Sequence, residues 1–220
     1  SFLLSHKSQS WSWNYWQREN PRSRTLPDDL DDSIAALIAL QAHVPQLLDE
    51  RALSAVTKLL IRAETEPGGP YHTWLVNDYS EPEWQDIDPA VNASIGYFLK
   101  LQGIRLPGLE AYCENVIRSE AYDSKYYPFM AIAYFLARYR DGSARTLLRE
   151  AILKQRLSDG SWGGVLPTAL ALASLVRLGF AARDLQPAIV LLEKCAANDS
   201  WEAEPLFIEE NKEVPIFCGA

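Results

Sequence analysis

Four carboxylates, Asp28, Asp29, Asp31 and Asp32, fall within five positions and open directly into the apolar run Ser33-Ile34-Ala35-Ala36-Leu37-Ile38-Ala39-Leu40. Asp and Ser are favoured helix caps, and acidic first-turn residues complement the positive end of the helix dipole. Capping accounts for one or two of them. A third and a fourth add mutual repulsion while few free backbone N–H groups remain to receive them. Carboxylates packed within a few ångströms cannot all ionise, so at least one pKa rises, and more so in a dry site. The helix N-terminus opposes this with roughly 0.3–1 kcal/mol, under one pKa unit, whereas crowding plus burial reaches several units. A carboxylic acid held neutral in an apolar cavity is a general acid.

The stretch Asp29-Leu30-Asp31-Asp32-Ser33-Ile34-Ala35 resembles the Asp-x-Asp-Asp-Thr-Ala signature of class II terpene cyclases, the squalene–hopene and copalyl-diphosphate type. Ser33 and Ile34 stand where that signature has Thr and Ala. The resemblance implies protonation-initiated cyclisation of an isoprenoid, with Asp31 as proton donor, Asp29 and Asp32 as the carboxylates that hold and polarise it, and no metal for the protonation step. The same letters, as Asp28, Asp29 and Asp32, also satisfy the Asp-Asp-x-x-Asp pattern by which class I prenyl-diphosphate enzymes bind magnesium. Pro27 and the apolar periodicity place them at a helix start rather than inside a long helix. Magnesium enters only if the substrate is a diphosphate.

Elsewhere, potential ligands are dispersed. Cys113, Cys195 and Cys218 lack C-x-x-C spacing, and His6, His43 and His72 are unclustered, which argues against a zinc knot or disulfide framework and fits a reducing cytoplasm. Arg18, Arg22 and Arg24 precede the acids and read as a solvated linker or a partner for Asp28 before they read as a diphosphate clamp. A net charge of −8 and a pI near 5.0 disfavour a nucleic-acid partner. No run of eighteen apolar residues predicts a membrane span; peripheral membrane contact stays open.

The elements that must position the acids read as helices. Near-fully apolar segments begin around Asp32, Pro89, Tyr127 and Thr168, and an amphipathic segment follows each, near 53–64, 106–120, 144–156 and 185–197. The order inner, outer, inner, outer is what an α/α toroid requires. Gln155, Gly160 and Trp162, within Leu147–Gly164, resemble the Gln-Trp repeat of triterpene cyclases, in which Gln and Trp tie an outer helix to the next turn. The fold expectation is an all-α, single-domain α/α toroid over residues 1–220. An aromatic-rich arm over 1–26 precedes it, in which Trp11, Trp13 and Tyr15 alternate as a short strand or rim would. Phe207–Ala220 reads as the lead-in to another inner helix, with the last hairpin missing or supplied by a second domain or partner chain, and Glu209–Glu213 as a solvated turn.

Loops entering the inner helices should gather at one mouth and carry function. The segment from Pro67 to Asn92, about 25 residues without helical periodicity, is long enough to signal a binding loop or lid. Candidate substrate-binding residues are Tyr71, Trp74, Trp84 and Asn92 in that loop, Tyr127 with Tyr126 and Phe129 at the third inner helix, and Trp162. Aromatic faces there suit a carbocation or an apolar chain. Rim packing is the plainer account of each ring. Asp88 reads as a helix cap, which leaves Asn92 to face the mouth and reach the acids, and His72 as a hydrogen-bonded loop residue or a base. The leading functional expectation is therefore a cytoplasmic, membrane-associated or not, class II terpene cyclase. Against it stand a non-catalytic toroid that binds a lipid or protein, and a magnesium-dependent prenyl-diphosphate enzyme.

Overall fold

The computed structural model describes residues 2–139, 142, 144–209 and 216–218. The described residues are all-α apart from one short strand pair. The helices are α1 (Phe2–His6), α2 (Leu30–His43), α3 (Glu50–Ala63), α4 (Pro89–Leu101), α5 (Pro107–Arg118), α6 (Phe129–Tyr139), α7 (Ala144–Lys154), α8 (Val165–Arg177) and α9 (Gln186–Asn198). All eight helices expected from periodicity form. The chain divides into two compact units, Ser1–Tyr112 and Cys113–Ala220. In the first, α2 packs against α4; in the second, α6 packs against α8, and α7 and α9 lie against α8.

In α3 and α4 burial follows the apolar pattern. Every residue of α4 from Pro89 to Gly96 is buried, together with Phe98 and Leu99. α3 buries only Ala52, Val56, Leu59, Leu60 and Ala63, at the spacing of a single helical face, and leaves Ile61 exposed. α8, also expected to be an inner helix, buries only Thr168, Ala171, Ser174 and Leu175 and leaves Val176 exposed.

A shared latch sets where three of the apolar helices begin. The fourth residue of α2, α4 and α8 is polar and fully buried: Ser33, Asn92 and Thr168. Each accepts a hydrogen bond from the backbone N–H of a buried aromatic residue upstream. Trp13 N–H donates to Ser33 Oγ at 2.9 Å, Tyr71 N–H to Asn92 Oδ1 at 2.8 Å, and Trp162 N–H to Thr168 Oγ1 at 3.0 Å. Asn92 also donates from Nδ2 to the carbonyls of Tyr71 and Asp88, at 2.9 and 3.0 Å. The expected position of Asn92 at the mouth is thus corrected: its amide is consumed in holding Tyr71.

The helix caps complete the entry turns. Asp29 caps α2 through Asp32 N–H, and Asp88 caps α4 through Ala90 and Val91 N–H. Gly164 has no side chain to cap α8, and Glu204 does so instead, accepting from Val165 N–H at 3.0 Å and Leu166 N–H at 2.6 Å. A Cβ at Gly164 would meet Glu204 Oε1 at 2.1 Å, so glycine is what lets the carboxylate approach.

Two local expectations give way. Of the alternating Trp11, Trp13 and Tyr15, only Trp13 bridges to another segment, and Trp11 has a φ of +63°. The tail is not a helix lead-in: Phe207–Glu209 (β1) pairs antiparallel with Ile216–Cys218 (β2), with Ile208 opposite Phe217. Most of the expected Glu209–Glu213 turn, from Glu210 on, lies outside the described residues.

Removing the latch of α4 strands two buried backbone groups. Asn92→Ala is expected to lower unfolding stability by about 3 kcal/mol, whereas Gln155→Ala, at an exposed site, shifts it by less than about 0.5 kcal/mol. Urea unfolding of both variants checks this.

Candidate active site

The segment Asp28–Leu30 reaches its helix as the middle strand of a small backbone sandwich. Asp29 bridges antiparallel to Trp13 on one side and to Trp74 on the other. Asp29 N–H donates to Trp13 O at 3.2 Å, Leu30 N–H to Thr73 O at 2.7 Å, and Leu75 N–H to Asp28 O at 2.9 Å. Ser33 adds a short hydrogen bond from its hydroxyl to Asp29 O. Within the long loop, the stretch from Thr73 to Leu75 is paired to the acid segment.

That pairing buries the carboxylates unequally. Asp29 is 4% exposed, while Asp28, Asp31 and Asp32 are half-buried. Burial, and then the charges of Asp32 and Asp31, hold Asp29 well above the ordinary carboxylate range. The cap bond from Asp32 N–H, 2.7 Å to Asp29 Oδ1, pulls the other way and is outweighed. Asp32 is raised too, first by burial and then by the charge of Asp28, while its side-chain hydrogen bond with Asp29 lowers it. That interaction raises Asp29 and lowers Asp32. The two titrate as a pair.

Asp28 has another partner. It accepts from Arg18 Nη2 at 2.9 Å and from the Ser12 hydroxyl, so the expected pairing of Arg18 with Asp28 forms. Arg22 lies over the ring of Trp16 at 5.0 Å.

Asp32 alone of the four carboxylates borders a groove of about 350 Å³. Its floor is the α2 face Ala35, Ala36 and Ala39, and its walls include Phe2, Trp13, Tyr15 and Trp16. Small residues on the helix leave the space, and the aromatic arm covers it. His6 also lines this groove, with Nδ1 at 3.6 Å from Glu19 Oε2.

The remaining expected site residues are placed as follows. Tyr71 is buried, and burial beside the Glu64 charge pushes its hydroxyl up to about 12. Trp74 and Trp84 are half-buried and meet edge to face, centroids 5.6 Å apart. His72 stacks on Tyr79 at 4.2 Å, and its buried Nδ1 has no hydrogen-bond partner among the described residues. In the second unit, Tyr127 packs edge-on against Phe135 and Phe207, and Tyr126 stacks on Phe207. Trp162 is 6% exposed and donates from Nε1 to Ile152 O at 2.7 Å, so its ring serves the latch. Gln155 is exposed. The neighbouring Arg156 ties the repeat instead, lying 5.5 Å over the Trp162 ring and donating from Nε to Gly160 O at 3.2 Å.

Sequence reasoning missed the groove residues Phe2, Trp16 and Ala36, and Glu204. A signal for the first set existed in the alanines of α2 at 35, 36 and 39, a small-residue face on an otherwise bulky helix. Nothing local marks Glu204, which acts across the chain.

Among the described residues no helix is long and apolar enough to cross a membrane. No protein-family model matches the chain, and no curated protein matches it.

The raised acids make a signed prediction. Unfolded aspartate ionises near about 3.9, whereas folded Asp29 keeps its proton to higher pH. Between those two values the folded state holds more protons, so stability is full below about pH 4 and falls as pH rises through the folded pKa. Asp29→Asn keeps a good cap and removes the ionisation. Its thermal midpoint should decline less between pH 4 and pH 8 than that of the unaltered chain, and should exceed it at pH 8; calorimetry across that range reads both.

Proposed function

We propose that the chain is an acid-initiated isoprenoid cyclase of the class II type, and that its helix pairs are arcs of an α/α toroid. The single observation that carries the catalytic reading is the buried carboxyl of Asp29 next to half-buried Asp32, which opens on an aromatic groove. The toroid reading is supported by the contrast between α4, buried all round, and α3, buried on one face, and by the same latch at the starts of α2, α4 and α8.

In this reading an alkene lies along the Ala35, Ala36 and Ala39 face. The one proton of the pair passes first from Asp29 to Asp32, and the alkene π electrons then take that same proton from the Asp32 oxygen, which leaves both carboxylates ionised. The new C–H bond leaves a carbocation, and the carboxylate pair takes the negative charge opposite it. Trp13, Tyr15 and Trp16 present π faces to the cation, an attraction of about 0.5–2 kcal/mol per ring. Asp31, the donor that the resemblance names, acts here through its charge on Asp29. The volume of the groove is near the lower end of ligand pockets, about 300–1,000 Å³, and favours a short polyene over a long one.

The test incubates the full chain with farnesyl and geranylgeranyl substrates and with squalene, and reads cyclised products by gas chromatography with mass spectrometry. Turnover should fall about 10²-fold or more in both Asp29→Asn and Asp32→Asn, and should be indifferent to a chelator. A greater loss in Asp31→Asn than in Asp32→Asn moves the donor to Asp31. Loss of turnover with chelator selects the magnesium reading, and absence of any cyclised product overturns the enzyme reading.

A further inference from the structure

The solvent face of α3 carries a feature of opposite charge. Arg51, Ser54, Ala55, Lys58 and Arg62 recur at helical spacing and share one face. They form one wall of an open groove of about 690 Å³ to which Gln9 and Ser10 also contribute. Glu50 is the one carboxylate among its lining residues, against three cations. A locally positive groove is notable in a chain of net charge −8.

The segment bearing Gln9 and Ser10 is a constrained turn. Ser8 Oγ accepts from Ser10 N–H at 3.1 Å and from Ser12 N–H at 3.0 Å, and Ser8 N–H donates to Ser12 O at 2.8 Å. Trp11 closes it in the left-handed region, which costs a non-glycine residue energy and is retained when the surroundings demand it. On α3, Arg62 is oriented by a 2.6 Å bond from Nη2 to Asn77 Oδ1. Arg51, Lys58, Gln9 and Ser10 are exposed.

The charged lining groups are mostly donors, two guanidinium groups and an ammonium against one carboxylate, and two hydroxyls and an amide can also donate. Such a set matches the oxygens of a phosphate, which guanidinium binds in bidentate fashion and ammonium as a point charge. Lys58 and Arg62, one helical turn apart, are spaced to hold one phosphate between them. Arg51 lies about 10 Å further along the helix axis from Lys58, within reach of a second phosphate or of the group that bears the first.

We propose that this groove binds a phosphate-bearing ligand, either a soluble phosphate or diphosphate ester or a phospholipid headgroup. The proposal is independent of the acid-site reading, since none of the four clustered aspartates lines the groove.

Isothermal titration of the full chain with inorganic pyrophosphate at low ionic strength tests the shared chemistry. Sedimentation with phosphatidylcholine vesicles, with and without phosphatidic acid, separates the sources. Saturable pyrophosphate binding without vesicle retention identifies a soluble ligand, and retention confined to phosphatidic acid vesicles identifies a headgroup. In either case the double variant Arg51→Gln, Lys58→Gln should weaken binding at least tenfold with its thermal midpoint unchanged. The control variant Arg22→Gln, Arg24→Gln should leave binding as it was. The proposal is overturned if neither pyrophosphate nor phosphatidic acid vesicles are bound, or if the double variant binds as tightly as the unaltered chain.

Discussion

A chain segment that enters a buried helix must satisfy its own backbone before the helix ladder can. Here that constraint is met by a polar side chain at the fourth helical position. This position is the first whose backbone N–H is already engaged within the helix, so its side chain is free for other work. Because Cβ atoms tilt toward the helix N-terminus, a polar atom there hangs over the incoming strand. Ser33, Asn92 and Thr168 use a hydroxyl, an amide and a hydroxyl for the same purpose, each receiving the N–H of a buried aromatic residue. An unmet N–H in those places would cost about 1–3 kcal/mol, a large fraction of the stability of a small unit.

In the first unit this entry turn coincides with the acid cluster, and the coincidence gives Asp29 its unusual chemistry. No large apolar chamber is needed to bury it. Trp13 and Trp74 bridge to it from both sides, and Ser33, the latch, also bonds its carbonyl. The helix terminus and the cap bond favour ionised Asp29, while burial and the charges of Asp32 and Asp31 favour the protonated form; burial is the largest of these effects. Asp28, by contrast, has Arg18 and Ser12. Four neighbouring carboxylates therefore occupy different environments.

The second unit reaches the same entry geometry by other means. Gly164 offers no cap, and Glu204 supplies one from 39 residues beyond Val165. The repeat's glutamine position contributes nothing buried, and Arg156 covers the Trp162 ring in its place. Position in the fold is conserved between these turns while the side chain that performs each task is not.

The sequence by itself determined the helices, because an apolar stripe at one face or all round is a local property of spacing, as α3 and α4 illustrate. It also determined that Asp29 to Asp32 open a helix, since caps and first-turn acids act within one turn. Tertiary structure decided which aspartate is buried, and burial is what raises it most. Desolvation depends on tertiary surroundings, and the segments paired to the Asp29 backbone come from Trp13 and Trp74, 16 residues before it and 45 after it. Asn92 turned inward for the same reason: the backbone it satisfies belongs to Tyr71, 21 residues upstream, and no local pattern announces that encounter.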